Sequence, residues 1–174
     1  IDVKVVDAIS RPWQLSTIQF DFNLPRRFGI TYADKDGQHK PPYMVHRAIY
    51  GSLERFFGIL IEHFAGDFPP WLAPVQARIL PVSEKVSEYA ESLLTRLRNA
   101  GLRAELDRGS EKVGAKIRNA ELEKVPYMLV VGPREAESDA VSLRIRHQGD
   151  QGSVAADEFI ARVSRAVRER SLHP

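Results

Sequence analysis

The run Val125-Pro126-Tyr127-Met128-Leu129-Val130-Val131-Gly132 decides the fold. Five successive apolar residues, with a proline before them and a glycine after, read as a strand covered on both faces. Such a strand needs layers above and below it, and the flanking sequence supplies them. Upstream, residues 112–124 read as a helix that stops before Pro126, and residues 102–106 as a strand. Before that, Ser83 is placed to cap a helix whose stripe is Val86, Tyr89/Ala90, Leu93, Leu94 and Leu97, closed by Gly101, and residues 77–82 are a strand. Downstream, Val141, Leu143 and Ile145 alternate with Ser142, Arg144 and Arg146, which reads as a strand with one covered face. Residues 154–170 then close as a helix on Phe159, Ile160, Val163 and Val167. The order β-α-β-α-β-β-α predicts a sheet covered by helices.

This pattern does not extend to the first residues. Pro69, Pro70 and Pro74 fall within six positions, too many for a helix to pass, and they mark a break between a first block, residues 1–70, and a second, residues 71–174. In the first block residues 1–7 read as a strand and Ser10-Arg11-Pro12 as a turn. Residues 13–22 read as a second strand, with Thr17, Gln19 and Asp21 on one face and Ile18, Phe20 and Phe22 on the other. Asn23-Leu24-Pro25 ends it, residues 33–42 read as a polar loop, and residues 43–47 as a short strand. The period then changes. Leu53, Phe56, Phe57, Leu60, Ile61 and Phe64 form one helical stripe, with Ser52 at the N-cap position and Gly66 as the stop. The block is α+β and the chain as a whole α/β.

Composition excludes several classes. The 174 residues contain no cysteine, so there is no disulfide scaffold, no thiol nucleophile and no zinc site built from this chain's own thiolates. No stretch approaches about 18 uncharged apolar residues, so no membrane span is expected. The net charge is +2, and basic and acidic residues are balanced within each block, 8 and 8 in residues 1–75 and 17 and 15 in residues 76–174. A nucleic-acid partner must be argued from particular residues. The chain begins at Ile1 in the middle of a strand pattern, with no secretory leader ahead of it, and is expected to be a piece of a longer protein.

Three constellations are candidates for chemistry. The Thr17/Gln19 face carries hydroxyl and amide groups on a rigid strand, suited to fixing a small polar ligand, or it is simply a solvated face. Arg55 falls in the first turn of the predicted helix, where free N–H groups and the dipole favour an anion; otherwise it is an exposed arginine. Arg118, Glu135 and Arg144 have the functional groups for reading unstacked bases, or are scattered surface charges. His46 has no partner at ligand spacing among the other histidines.

Taken together, three motifs resemble the C-terminal part of bacterial-type threonyl-tRNA synthetases, a class II family. They are Trp13-Gln14-Leu15-Ser16-Thr17-Ile18-Gln19-Phe20-Asp21-Phe22-Asn23-Leu24-Pro25, His46-Arg47-Ala48-Ile49-Tyr50-Gly51-Ser52-Leu53-Glu54-Arg55-Phe56 and Trp71-Leu72-Ala73-Pro74-Val75-Gln76. The run 125–132 is similar to the anticodon-binding domain shared with the prolyl, histidyl and glycyl enzymes. The resemblance implies the end of a catalytic domain built on an antiparallel sheet, followed by an anticodon-binding domain with a mixed sheet. It implies that Arg55, in motif 3, holds the ATP phosphates as a catalytic residue. Gln14 and Thr17 would lie near the adenosine, and Gln19 would line the threonine pocket. His46 would be one of three protein ligands of a zinc ion, the other two lying upstream of Ile1. Arg118, Glu135 and Arg144 would contact anticodon bases.

The implied activity is threonine–tRNA ligation, with threonine, ATP with Mg2+ and tRNA(Thr) as substrates, in a cytoplasmic homodimer. The competing expectation is a stand-alone tRNA-binding module without catalysis. Three positions, at two places, depart from the family: Leu15-Ser16 stands where Cys-Gly is frequent, and Ser110 where some members use an asparagine.

Overall fold

Tyr127–Val131 is a strand, and four of its five residues are fully enclosed. The computed structural model describes residues 1–174, which divide into two compact units, Ile1–Ala65 and Gly66–Pro174.

In the second unit β6 (Ala77–Pro81), β7 (Ala104–Leu106), β8 (Tyr127–Val131), β9 (Ala140–Ile145) and β10 (Gly149–Ala155) form one sheet in the order β10-β9-β8-β6-β7. β6 is parallel to β7 and β8, while β8/β9 and β9/β10 are antiparallel, so the sheet is mixed. One face packs Ile79, Leu129 and Leu143 under α3 (Ser87–Asn99) and α6 (Ala156–Arg168). The other packs Leu80 and Met128 under Ala120 of α4 (Val113–Leu122). Alternation along each strand sends successive side chains to these two layers.

Two elements of this unit are absent from the sequence reading. The short helix α5 (Pro133–Glu137) follows β8 directly, opened by a proline at its first position. β10 is an edge strand, mostly exposed, with two glycines and a register shift between Asp150 and Ser153. Its pairing with β9, not its composition, makes it a strand, and α6 therefore starts at Ala156, two residues later than its stripe suggests. Ser83 precedes a 3-10 turn over Glu84–Val86 without using its hydroxyl as a cap, and α3 begins after that turn.

In the first unit β1 (Asp2–Val6), β2 (Pro12–Asp21) and β5 (Met44–Ala48) are antiparallel in the order β1-β2-β5. A short helix α1 (Leu24–Arg27) ends the long strand. The polar loop holds a small hairpin of two-residue strands, β3 (Tyr32–Ala33) with β4 (His39–Lys40), clipped by Lys40 to Asp34 and Asp36. α2 (Leu53–Phe64) is capped by the Ser52 hydroxyl, as expected, and ends on a left-handed Ala65 followed by Gly66 at φ +77°.

The expected apolar faces of this unit are not covered. Ile18, Phe20, Phe22, Tyr43 and Val45 are exposed, as are Leu53, Phe57 and Ile61 of the α2 stripe. Only Asp7, Leu15 and Pro25 are buried.

Candidate functional site

The register of β1, β2 and β5 puts Asp2, Thr17 and Ala48 in one cross-strand row and Gln19 opposite His46 in the next, so these side chains share a face. Thr17, Gln19, His46, Arg47 and Ala48 line an open cavity of about 410 Å³. Strict alternation would put Gln14 on the other face from Thr17. Lys4 pairs with Gln14 and Val3 with Ser16, leaving Leu15 as an extra residue that restores Gln14 to the polar side. There Gln14 Nε2 donates to Thr17 Oγ1 (2.6 Å) and to Asp2 Oδ1 (2.8 Å), and Thr17 Oγ1 donates to the same Asp2 oxygen (3.0 Å).

His46 is oriented by a residue that the sequence places on the right face without giving it a role. Its Nε2 lies 2.8 Å from Asp21 Oδ2, while Asp21 Oδ1 accepts from the backbone N–H groups of Asn23 (2.8 Å) and Leu24 (3.0 Å). The Leu24 and Asn23 amides, then the His46 bond, hold the Asp21 carboxyl below the usual carboxylate range. The imidazole is thus tied through one nitrogen, and Nδ1 has no protein partner. No three His, Cys, Asp or Glu side chains stand close enough together to hold a metal ion.

Arg55 is not among the residues lining that cavity. It sits where the sequence places it, in the first turn of α2. Its backbone N–H donates to Ser52 Oγ (3.3 Å), and its guanidinium carbon is 5.6 Å from the centre of the Trp13 ring. The turn leading into α2 is seated against the bulge. Ser16 Oγ donates to the Ile49 carbonyl, and Gly51 at φ +65° lies under the carbonyls of Gln14 and Leu15. The helix tip is therefore held at the level of Gln14, at the end of the polar wall.

In the second unit Arg118, on α4, lines an open cavity of about 310 Å³ with Glu121, Leu122, Arg146 and His147. Arg144 stands directly across from Met128, which packs beneath α4, so Arg144 and α4 lie on the same side of the sheet. Arg144 is 3.5 Å from Asp150 of β10, and its buried Nε has no partner. Glu135 is used locally: its Oε2 accepts the Gly132 N–H (2.9 Å) at the start of α5. The structure places Arg118 and Arg144 on a common side and gives Glu135 a separate capping position. Ser110 lies elsewhere, in a cavity of about 190 Å³ walled by Asp107, Glu111 and the buried Lys116.

Residues 76–166 match the family model described as "Anticodon binding domain", and residues 1–64 match "tRNA synthetase class II core domain (G, H, P, S and T)". Threonine–tRNA ligases from Thermus thermophilus and Acidobacterium capsulatum are 57% and 56% identical over 100% and 98% of the chain. The chloroplastic/mitochondrial 2 enzyme of Arabidopsis thaliana is 52% identical over 98%.

This chain belongs to the threonyl-tRNA synthetase family.

It spans about a quarter of the length of these family members: 26%, 25% and 26% respectively. Among solved structures, the RNA binding domain of threonyl-tRNA synthetase from Cryptosporidium parvum superposes with a TM-score of 0.84 at 38% identity, covering 94% of this chain and 42% of that one. Prolyl-tRNA synthetase from the same organism, at 23% identity and a TM-score of 0.68 over 91% of this chain and 34% of that one, shares the fold. The segment that matches the class II core model, residues 1–64, is the one whose β2 and β5 leave an apolar face exposed.

Proposed function

We propose that the protein containing this chain ligates threonine to tRNA(Thr). The threonine carboxylate attacks the α-phosphorus of ATP, pyrophosphate leaves, and the acyl group of the adenylate then passes to the tRNA terminus with release of AMP. The observation that carries this reading is the polar wall of β2 and β5, where Thr17, Gln19 and His46 converge on one cavity beside an anion-favouring helix tip, in a chain 52–57% identical along its length to threonine–tRNA ligases. The work of such a site is positioning and charge stabilisation.

Gln14 and Thr17, coupled to each other, present hydrogen-bonding groups for the adenosine. Gln19 and His46 face the amino acid. Arg55, with no acidic partner of its own, offers its guanidinium to the Mg2+-bound phosphates of ATP. The donors in this chain fit one zinc ligand, not a zinc site. With Nε2 held by Asp21, His46 would bind through Nδ1, in the usual arrangement of a ligating histidine tied back to a carboxylate, and the remaining ligands would come from outside residues 1–174. When bound, that ion supplies coordination positions for the threonine amino and hydroxyl groups, which valine, lacking the hydroxyl, cannot fill; an apolar pocket alone separates such isosteres weakly.

Residues 71–174 serve as the anticodon-binding domain, with Arg118 and Arg144 on an open side of the sheet and Glu135 at the end of β8. The complete protein acts as a cytoplasmic homodimer. The 174-residue chain by itself is a tRNA-binding module without catalysis.

ATP–pyrophosphate exchange by the complete protein tests the reading. Threonine should support it and valine should not, and Arg55→Ala should lower it more than a hundredfold while tRNA affinity stays within about twofold. Equal exchange rates in parent and variant would remove Arg55 from the site.

A further inference from the structure

We infer that Trp13 is a positioning residue for Arg55: its indole face holds the guanidinium at the tip of α2 and leaves the N–H groups free for the nucleotide. This rests on the reading that Arg55 binds ATP.

Two guanidinium groups stand over the Trp13 ring, Arg11 at 5.4 Å and Arg55 at 5.6 Å from its centre, both within cation–π range. They are not equivalent. Arg11 Nε donates to Asp7 Oδ2 (2.6 Å) and its Nη2 to Glu62 Oε2 (3.3 Å), so its charge is spent on carboxylates. Arg55 has no carboxylate partner. The nearest acid in sequence, Glu54, is occupied by the Ser52 hydroxyl at 2.8 Å. An arginine that lies over a ring without an ion pair keeps its fork of donors open, whereas one held by carboxylates does not.

The ring itself is fixed. Trp13 Nε1–H donates to Asp7 Oδ2 (2.9 Å), and Asp7 Oδ1 accepts from the backbone N–H groups of Ile9 (3.0 Å) and Arg11 (2.8 Å). The Asp7 side chain is 1% exposed. Both of its oxygens are engaged, so the indole is anchored at its N–H while its face remains available. Trp13 and Gln14 are consecutive and leave β2 on opposite sides, and Gly51 seats the α2 tip against the Gln14 backbone. The ring thus holds Arg55 at the tip of α2, beside the strand residue that precedes the polar wall and on the side of β2 away from Gln14.

The test is made in the complete protein by ATP–pyrophosphate exchange. Trp13→Leu should raise KM for ATP about fivefold with KM for threonine within twofold, and Trp13→Phe, which keeps a ring, should recover most of that loss. Trp13→Leu combined with Arg55→Ala should be no worse than Arg55→Ala alone. If Trp13→Leu fails to fold, Trp13 is replaced by tryptophans of increasing fluorination, which keep the shape and N–H but weaken the ring's hold on a cation; KM for ATP should rise with each fluorine. An unchanged KM for ATP, an equal rise in both KM values, or a fully multiplicative double variant overturns the inference. Failure of the underlying reading is seen separately, as an Arg55→Ala variant with the parental exchange rate and an unaltered KM for ATP.

Discussion

At Gly51 a β-carbon would stand 3.1 Å from the Leu15 carbonyl oxygen, and the backbone is already left-handed at φ +65°. The left-handed conformation costs a residue with a side chain about 1–2 kcal/mol, and the neighbour here is backbone that cannot rotate away. Gly51→Ala should therefore lift the first turn of α2 off the bulge. Exchange activity of the complete protein is expected to fall at least tenfold with tRNA affinity retained; a variant with parental exchange would mean that the tip of α2 need not sit on β2. The bulge also shows where residue-level reading stops. Thr17, Gln19 and Asp21 could be placed on one face by counting in twos. Gln14 could not, because the extra residue at Leu15 is set by how β1 pairs with β2. Asp21 was on the right face, yet its bond to His46 depends on β5 lying beside it, with the chain returning through a loop that period-two patterning does not orient.

Elements differed in legibility for a physical reason. β8 could be read because both of its faces are buried and every residue must be apolar; β10 could not, because an edge strand has little to bury and takes its conformation from hydrogen bonds to β9. α3 and α6 announce themselves by their stripes, but the sequence does not show what ties their ends. Arg96 of α3 donates from Nη1 to Asp139 Oδ1 and from Nη2 to Asp157 Oδ1, each at 2.6 Å, joining α3 to the start of β9 and the first turn of α6. The Arg96 bond, opposed by partial burial, holds the Asp139 carboxyl below its ordinary value. A carboxylate with a depressed folded-state value contributes its stability above the unfolded value and loses it as pH falls through the folded one. The Asp139 arm of the clamp is thus complete at neutral pH, weakens as pH falls below about 4 and is lost only as pH falls through its lower folded-state value. Both partners are partly solvated, so the contribution is about 1 kcal/mol or less. Arg96→Met should lower the melting temperature of residues 66–174 at pH 7 by a few degrees, and the gap from the parent should narrow as pH falls below about 4. A gap that stays constant with pH would show that Arg96 acts through packing of its stem.

At the scale of the molecule the two units are unequal in what they bury. The large, fully enclosed apolar side chains, among them Tyr127, Phe159, Leu129 and Leu143, belong to residues 66–174, whereas the first unit buries only Asp7, Leu15 and Pro25. One leucine and one proline are a small enclosed core for 65 residues whose backbone must be ordered. The apolar face behind the polar wall of β2 and β5 is open, so the candidate side chains of residues 1–65 stand on a sheet with almost no enclosed core of its own. Expressed alone, residues 66–174 should melt in a single cooperative transition, and residues 1–65 should show no cooperative transition and bind a hydrophobic dye. The intact 174-residue chain should bind tRNA yet give no pyrophosphate exchange with threonine. A cooperative melt from residues 1–65 would show that the three-stranded sheet is stable without its missing layers, and exchange by the intact chain would show that β2, β5 and the tip of α2 suffice for adenylation.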